Sequence, residues 1–153
     1  AAYGIAKFLQ RRGYRSIYFP ETDSYRTLWS QYDAGYQKFI PSFNHMAAAE
    51  AAGLGKKGIC GVLLTPDYGP RVRWISVITE ATLVRGNPLR EEVCLEKIRP
   101  NTCQKCVKSC PIGAISVERG TDVRRCWIYW NQLRDMGSAC GICIKSCPVG
   151  KKD

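Results

Sequence analysis

Long apolar runs are missing from this 153-residue chain. No stretch approaches the roughly 18 consecutive apolar residues that a membrane-spanning helix needs. No basic-then-apolar segment opens the chain in the manner of a secretory signal. Cytoplasm is therefore the expected compartment, and no membrane span is expected. An initiator Met is missing as well. The opening "AAYGIAKFLQRRGY" reads as the middle of a helix, since Ala2, Ile5, Ala6 and Leu9 keep helical spacing and Gly13 supplies a stop. Such a start reads as truncated or processed, so export is left open.

Acidic residues are scarce, 13 against 23 basic ones, for a formal charge of +10. The basic residues are scattered, and no run of them is interleaved with aromatics as a nucleic-acid stacking surface requires. Nucleic acid is thus not the expected partner. Eight cysteines counted as thiolates in two clusters, each of about −2, would bring the charge to roughly +6. An acidic electron-donor protein suits that remainder. Apolar content of 45% is ordinary for a folded domain and excludes disorder.

Cysteine is also nearly absent from residues 1–93, where Cys60 stands alone; residues 94–153 hold the other eight. That division predicts two regions, a partial α/β region over 1–93 and an iron–sulfur region over 94–153, for an α+β chain overall. In the first region a helix over 1–12 leads to a β-type run, "RSIYFP". Residues 24–38 are ambiguous between a weak helix and a loop. In "SFNHMAAAEAAGLG", Ser42 or Asn44 can cap a helix that Gly53 or Gly55 ends. The runs "ICGVLLT" and "VRWISVITEATL" flank "PDYGPR" and are expected to pair as a hairpin. About three strands would leave a small sheet poorly covered, so a second subunit or a preceding segment is expected to complete it.

The second region repeats itself. "CQKCVKSCP" at 103–111 returns as "CGICIKSCP" at 140–148. The common two-cluster run is C-x2-C-x2-C-x3-C-P, whose fourth cysteine serves the other cluster. Both copies lack the first cysteine of that run, with Pro100 and Gly137 in its place. Each has an upstream cysteine instead, Cys94 nine residues before Cys103 and Cys126 fourteen before Cys140. The expected assignment is crossed. Cys94, Cys103, Cys106 and Cys147 hold one 4Fe–4S cluster, and Cys126, Cys140, Cys143 and Cys110 hold the other. Cys60 is left over and reads as a small buried strand residue.

This spacing suits a cube because the C-x2-C turn aims two thiolates at one centre and points backbone N–H groups at them. Proline then fixes the exit of the chain. Zinc ribbons use paired C-x2-C steps without the x3-C-P continuation. A disulfide framework needs an oxidising compartment. A three-iron cluster, or one non-cysteine ligand, stays open.

At 45–83 the motif "AGLG" (Ala52 to Gly55), Gly58, "LLTP" (Leu63 to Pro66) and "YGPRVR" (Tyr68 to Arg73), with Arg124-Arg125-Cys126 further on, resembles the epoxyqueuosine reductases and the corrinoid-dependent reductive dehalogenases. The resemblance covers about residues 1–149. It implies a cobalamin-binding region related to flavin nitroreductases, fed with single electrons by a ferredoxin-type module with two 4Fe–4S clusters. It implies reduction of a small organic substrate, and a ferredoxin or flavodoxin as donor. The substitution of Cys94 for the usual first cysteine departs from the family form. No catalytic side chain carries over, because no position here matches one.

For the corrinoid, the candidate contacts are His45, Gly53, Gly55, Tyr68, Arg71 and Arg73. Each has an ordinary reading beside that one. His45 starts a helix, the glycines end it, and the others belong to a solvated turn. Trp127 and Trp130 are expected to pack over a cluster. A non-catalytic ferredoxin-like electron carrier remains the competing reading of the whole.

Overall fold

The structure, a computed structural model, describes residues 1–19 and 43–151. The ambiguous stretch 24–38 and the candidate cap Ser42 lie outside the described residues. Along the chain run α1 (Ala2–Arg11), β1 (Ser16–Phe19), α2 (His45–Ala51), β2 (Lys56–Lys57), β3 (Leu63–Leu64) and β4 (Ser76–Thr79). There follow α3 (Leu95–Ile98), α4 (Lys105–Ser109), β5 (Ile115–Ser116), β6 (Gly120–Thr121), α5 (Val123–Asp135) and α6 (Ile142–Ser146). Packing divides these residues into two units, one of 1–48 with 73–86, the other of 49–72 with residues from 87 onward.

In the first unit, α1 buries only its small residues, Ala2 and Ala6. Gly13 at φ 90° then ends it, with Tyr14 N–H donating to Leu9 O at 3.1 Å, a bond that only a left-handed residue after the last turn allows. β1 lies antiparallel to β4, Ser16 opposite Thr79 and Phe19 opposite Ser76. The Ser16 and Thr79 hydroxyls meet at 2.8 Å. Arg15 and Glu80 close the open end with an exposed ion pair, which solvent screens. As the sequence predicts, Asn44 caps α2, its Oδ1 accepting from Ala47 N–H at 3.0 Å.

The expected hairpin between residues 59–65 and 72–83 does not form. β3 pairs with β2, and β4 pairs with β1. The reason lies in "PDYGPR". Thr65 and Gly69 exchange both backbone hydrogen bonds, at 3.0 and 2.8 Å, so the turn closes on itself. Pro70 then has no N–H with which to extend the ladder.

The second unit has a small core of Ile59, Cys60, Leu64, Cys94, Cys106, Ile115 and Cys147. Four of these seven are cysteines, so sulfur supplies much of what a larger domain would take from leucine and phenylalanine. Helices α4 and α6, the two copies of the repeat, pack on each other. The Ser109 and Ser146 hydroxyls lie 2.9 Å apart between them. Among the described residues no helix is long and apolar enough to cross a membrane.

Candidate metal centre

In the second unit a recess is lined by Cys94, Cys103, Cys106 and Cys147, together with Cys60, Ile59, Leu64 and Glu96. Cys147 reaches it from the far copy of the repeat. Cys126 feels the charges of Cys140 and of Cys110 from the first copy, and Cys143 those of Cys60, Cys126 and Cys140. All nine cysteines are free thiols.

Several backbone amides point at these sulfurs. Ala114 N–H donates to Cys110 Sγ at 3.2 Å. The amides of Val107, Ile144 and Val149 favour the thiolates of Cys106, Cys143 and Cys147 in the same way. Burial works against them. It pushes the Cys143 thiol up to about 11 and raises Cys126 and Cys147. Burial thus disfavours these thiolates until a cation is present to take the charge.

The donor set therefore fits iron–sulfur clusters. Thiolates in groups of four, N–H groups aimed at sulfur, and partial burial are the features that hold a cube. Among the described residues no three His, Cys, Asp or Glu side chains converge as they would on a single ion. In a cube each thiolate binds a different iron, so the sulfurs ring a space rather than meet at a point.

Glu96 is a functional residue that spacing alone does not reveal. It is buried, 3% exposed, and clamps the loop that presents Cys103. Its carboxylate accepts from Asn101 N–H at 2.7 Å, Cys103 N–H at 2.9 Å and the Gln104 side-chain amide at 3.2 Å. Those donors, Cys103 first, hold its carboxyl below the usual carboxylate range. The loop needs the help, since Asn101 and Gln104 both take left-handed conformations, at φ 63° and 49°.

Arg71 is committed to the far copy. Its guanidinium donates to Val149 O at 2.9 Å and to Cys147 O at 3.5 Å. Gly69 and Gly150 pass so closely that a Cβ on Gly69 would lie 2.0 Å from Val149 O, and one on Gly150 2.3 Å from Gly69 N. Gly53 and Gly55 also admit close backbone, but the backbone is this chain's own: Asn87 O and Leu64 O, at 1.9 and 2.3 Å from the hypothetical Cβ atoms. His45 is buried in the first unit, with Nδ1 2.9 Å from Ser76 Oγ and its ring edge-on to Phe43. Tyr68 and Arg73 are exposed. Trp127 and Trp130 stack on each other along α5, with ring centroids 5.7 Å apart.

Cys60 is buried as expected, but it sits on the turn between β2 and β3 and not on a strand. It lines the same recess as Cys106. The Cys106 thiol beside it lowers the Cys60 thiol to about 6, and Cys60 in turn pushes Cys106 up.

No family model matches the chain. A tetrachloroethene reductive dehalogenase of Sulfurospirillum multivorans is 32% identical over 126 residues, 67% of this chain and 23% of that protein. An epoxyqueuosine reductase of Listeria monocytogenes is 32% identical over 91 residues, 60% of this chain and 22% of that protein. Among solved structures, a reductive dehalogenase whose structure suggests a mechanism for B12-dependent dehalogenation gives a TM-score of 0.72 at 28% identity, over 97% of this chain and 20% of that one. An epoxyqueuosine reductase holding a tRNA-Tyr stem loop gives 0.66 over 97% of this chain and 36% of that one; at 21% identity this is a likeness of fold.

The class these relatives define is that of reductive oxidoreductases. The chain is homologous to the reductive dehalogenases and epoxyqueuosine reductases within it, as its 45–83 motif indicates. It spans less than a quarter of the length of either curated relative.

Proposed function

We propose that this chain is the electron-input portion of an iron–sulfur reductase, with residues 94–153 as a ferredoxin-type domain carrying two 4Fe–4S clusters. The observation that supports the reading is the recess lined by Cys94, Cys103 and Cys106 together with Cys147 from the far copy of the repeat. Cys94, Cys103, Cys106 and Cys147 are the proposed ligands of one cluster, and Cys126, Cys140, Cys143 and Cys110 those of the other. When bound, the clusters supply one-electron chemistry at a potential that the protein sets. The protein's own part is to hold the sulfurs, exclude water with Ile59, Leu64 and Ile115, and aim N–H groups at the thiolates.

A corrinoid is the proposed electron acceptor, and reduction of a small organic substrate the proposed outcome. The reading rests on kinship with reductive dehalogenases and on the B12-dependent dehalogenation of one structural neighbour. Residues 1–93 are proposed as part of a nitroreductase-like cofactor region, with a ferredoxin or flavodoxin as electron donor. Of the candidate corrinoid contacts, Gly53, Gly55 and Arg71 already hold backbone of their own unit, whereas Tyr68 and Arg73 present exposed side chains.

Anaerobic purification of the full-length protein tests both parts. The expected result is about eight irons and eight sulfides per chain, with cobalt and the visible spectrum of a corrinoid. About eight irons without cobalt or flavin would make the protein an electron carrier. Zinc in place of iron would overturn the reading altogether.

A further inference from the structure

Arg71, a candidate corrinoid contact by sequence, spends its guanidinium on the loop that leaves Cys147. Resting on the cluster reading above, we propose that Arg71 is a positioning residue for Cys147. It fixes the segment that presents this sulfur from the far copy, and its charge raises the reduction potential of the cluster held by Cys94, Cys103, Cys106 and Cys147.

The turn that carries Arg71 is closed several times over. Thr65 and Gly69 exchange backbone hydrogen bonds, Tyr68 N–H donates to Thr65 Oγ1 at 3.1 Å, and Arg71 N–H donates to Tyr68 O at 3.2 Å. Gly69 and Pro70 are buried. The turn also lies flush against the exit from Cys147. A Cβ on Gly150 would stand 2.3 Å from Tyr68 C and 2.6 Å from Tyr68 Cα, so backbone meets backbone there and no side chain fits between.

From this base the guanidinium spans Pro148. Nη2 donates to Val149 O at 2.9 Å, and Nη1 and Nη2 both stand 3.5 Å from Cys147 O. Pro148 has no N–H of its own to tie the segment down. A planar fork of donors can serve the carbonyls on both sides of it at once. A lysine ammonium brings the same charge on a flexible stem and does not hold that geometry.

The sign of the electrical effect follows from charge. Among the described residues no carboxylate pairs with Arg71, so its charge is not cancelled locally. Burial disfavours the Cys147 thiolate, and Arg71 acts in the opposite sense. A cation beside a ligand favours the state with one more electron, so the potential rises; net charge is one of the levers on cluster potentials. Arg71 is exposed, so salt screens part of the effect.

The test uses the full-length, anaerobically purified holoprotein and its Arg71→Gln and Arg71→Lys variants. Iron is counted, both clusters are followed by EPR during a redox titration, and iron loss to a chelator is timed. The signal missing from Cys147→Ala marks the cluster in question. Both variants are expected to keep about eight irons and to release those of the marked cluster several-fold faster than wild type. In Arg71→Gln, which keeps a donor without the charge, the marked cluster is expected at more negative potential and the other unmoved. The shift is expected to shrink as salt is added. In Arg71→Lys the marked cluster is expected to stay near its wild-type potential. Equal shifts in the two variants, or none in Arg71→Gln, would overturn the electrostatic role. Chelation at the wild-type rate in both would overturn the positioning role. Wild-type protein without iron would instead refute the cluster reading itself.

Discussion

The hydroxyl of Ser109 rests 2.9 Å from that of Ser146, its own counterpart 37 residues on in the repeat. A residue that touches its own equivalent lies on the local two-fold axis of a duplicated motif. The proposed exchange of Cys110 and Cys147 accords with such an axis, since a rotation that carries one helix onto the other also carries each third cysteine to the opposite site.

The exchange predicts a pattern of non-additivity. Cys147→Ala and Cys103→Ala are expected to cost about four irons each, and the double variant no more. Cys147→Ala combined with Cys110→Ala is expected to cost about eight, because the two serve different clusters. Iron analysis of anaerobically purified variants checks this. Pairing by sequence neighbourhood would give the reverse.

Glu96→Ala leaves the N–H groups of Asn101 and Cys103 without their acceptor in a loop with two left-handed residues. Buried donors left unmade are costly. The cluster at Cys94, Cys103, Cys106 and Cys147 is expected to lose iron several-fold faster to a chelator, with the second cluster unaffected. Glu96→Gln, which keeps one acceptor oxygen, is expected to fall between. Chelation kinetics followed by absorbance separates the three proteins.

Gly69→Ala sets a Cβ 2.0 Å from Val149 O at a backbone φ of 57°. Something must move, and the neighbour is the exit segment from Cys147. A loss of about 1–3 kcal/mol is expected, read as a lowered melting temperature, together with reduced iron occupancy. A Gly4→Ala control in α1, where nothing lies within 4 Å, is expected to leave iron occupancy unchanged and to raise the melting temperature slightly if at all.

Iron removal is expected to loosen the second unit, because four of the seven residues in its core are cysteines. Metal-dependent folding is the usual condition of so small a core. Amide exchange across 94–115 is expected to rise markedly after chelation. Unchanged protection there would mean that Ile59, Leu64 and Ile115 suffice alone.

Much of this was legible in the sequence. Helix α1 and its glycine stop and the Asn44 cap are local signals, set by neighbours a few residues away. The failed hairpin was not, because the turn residues "PDYGPR" satisfy a self-closed turn as readily as a long ladder. Nor was the position of Cys60, whose neighbour Cys106 lies far along the chain. Glu96 was invisible for another reason. A carboxylate that serves backbone donors leaves no spacing rule behind it.

The β5–β6 turn lies between the two halves of the repeat, with exposed Glu118 and Arg119 at its tip. Cut there, the chain would become two pieces. The N-terminal piece would contribute Cys94, Cys103 and Cys106 to one site and Cys110 to the other. The C-terminal piece would contribute Cys147 to the first, and Cys126, Cys140 and Cys143 to the second. Neither site would belong to one piece, so two inorganic rivets would hold a severed chain together.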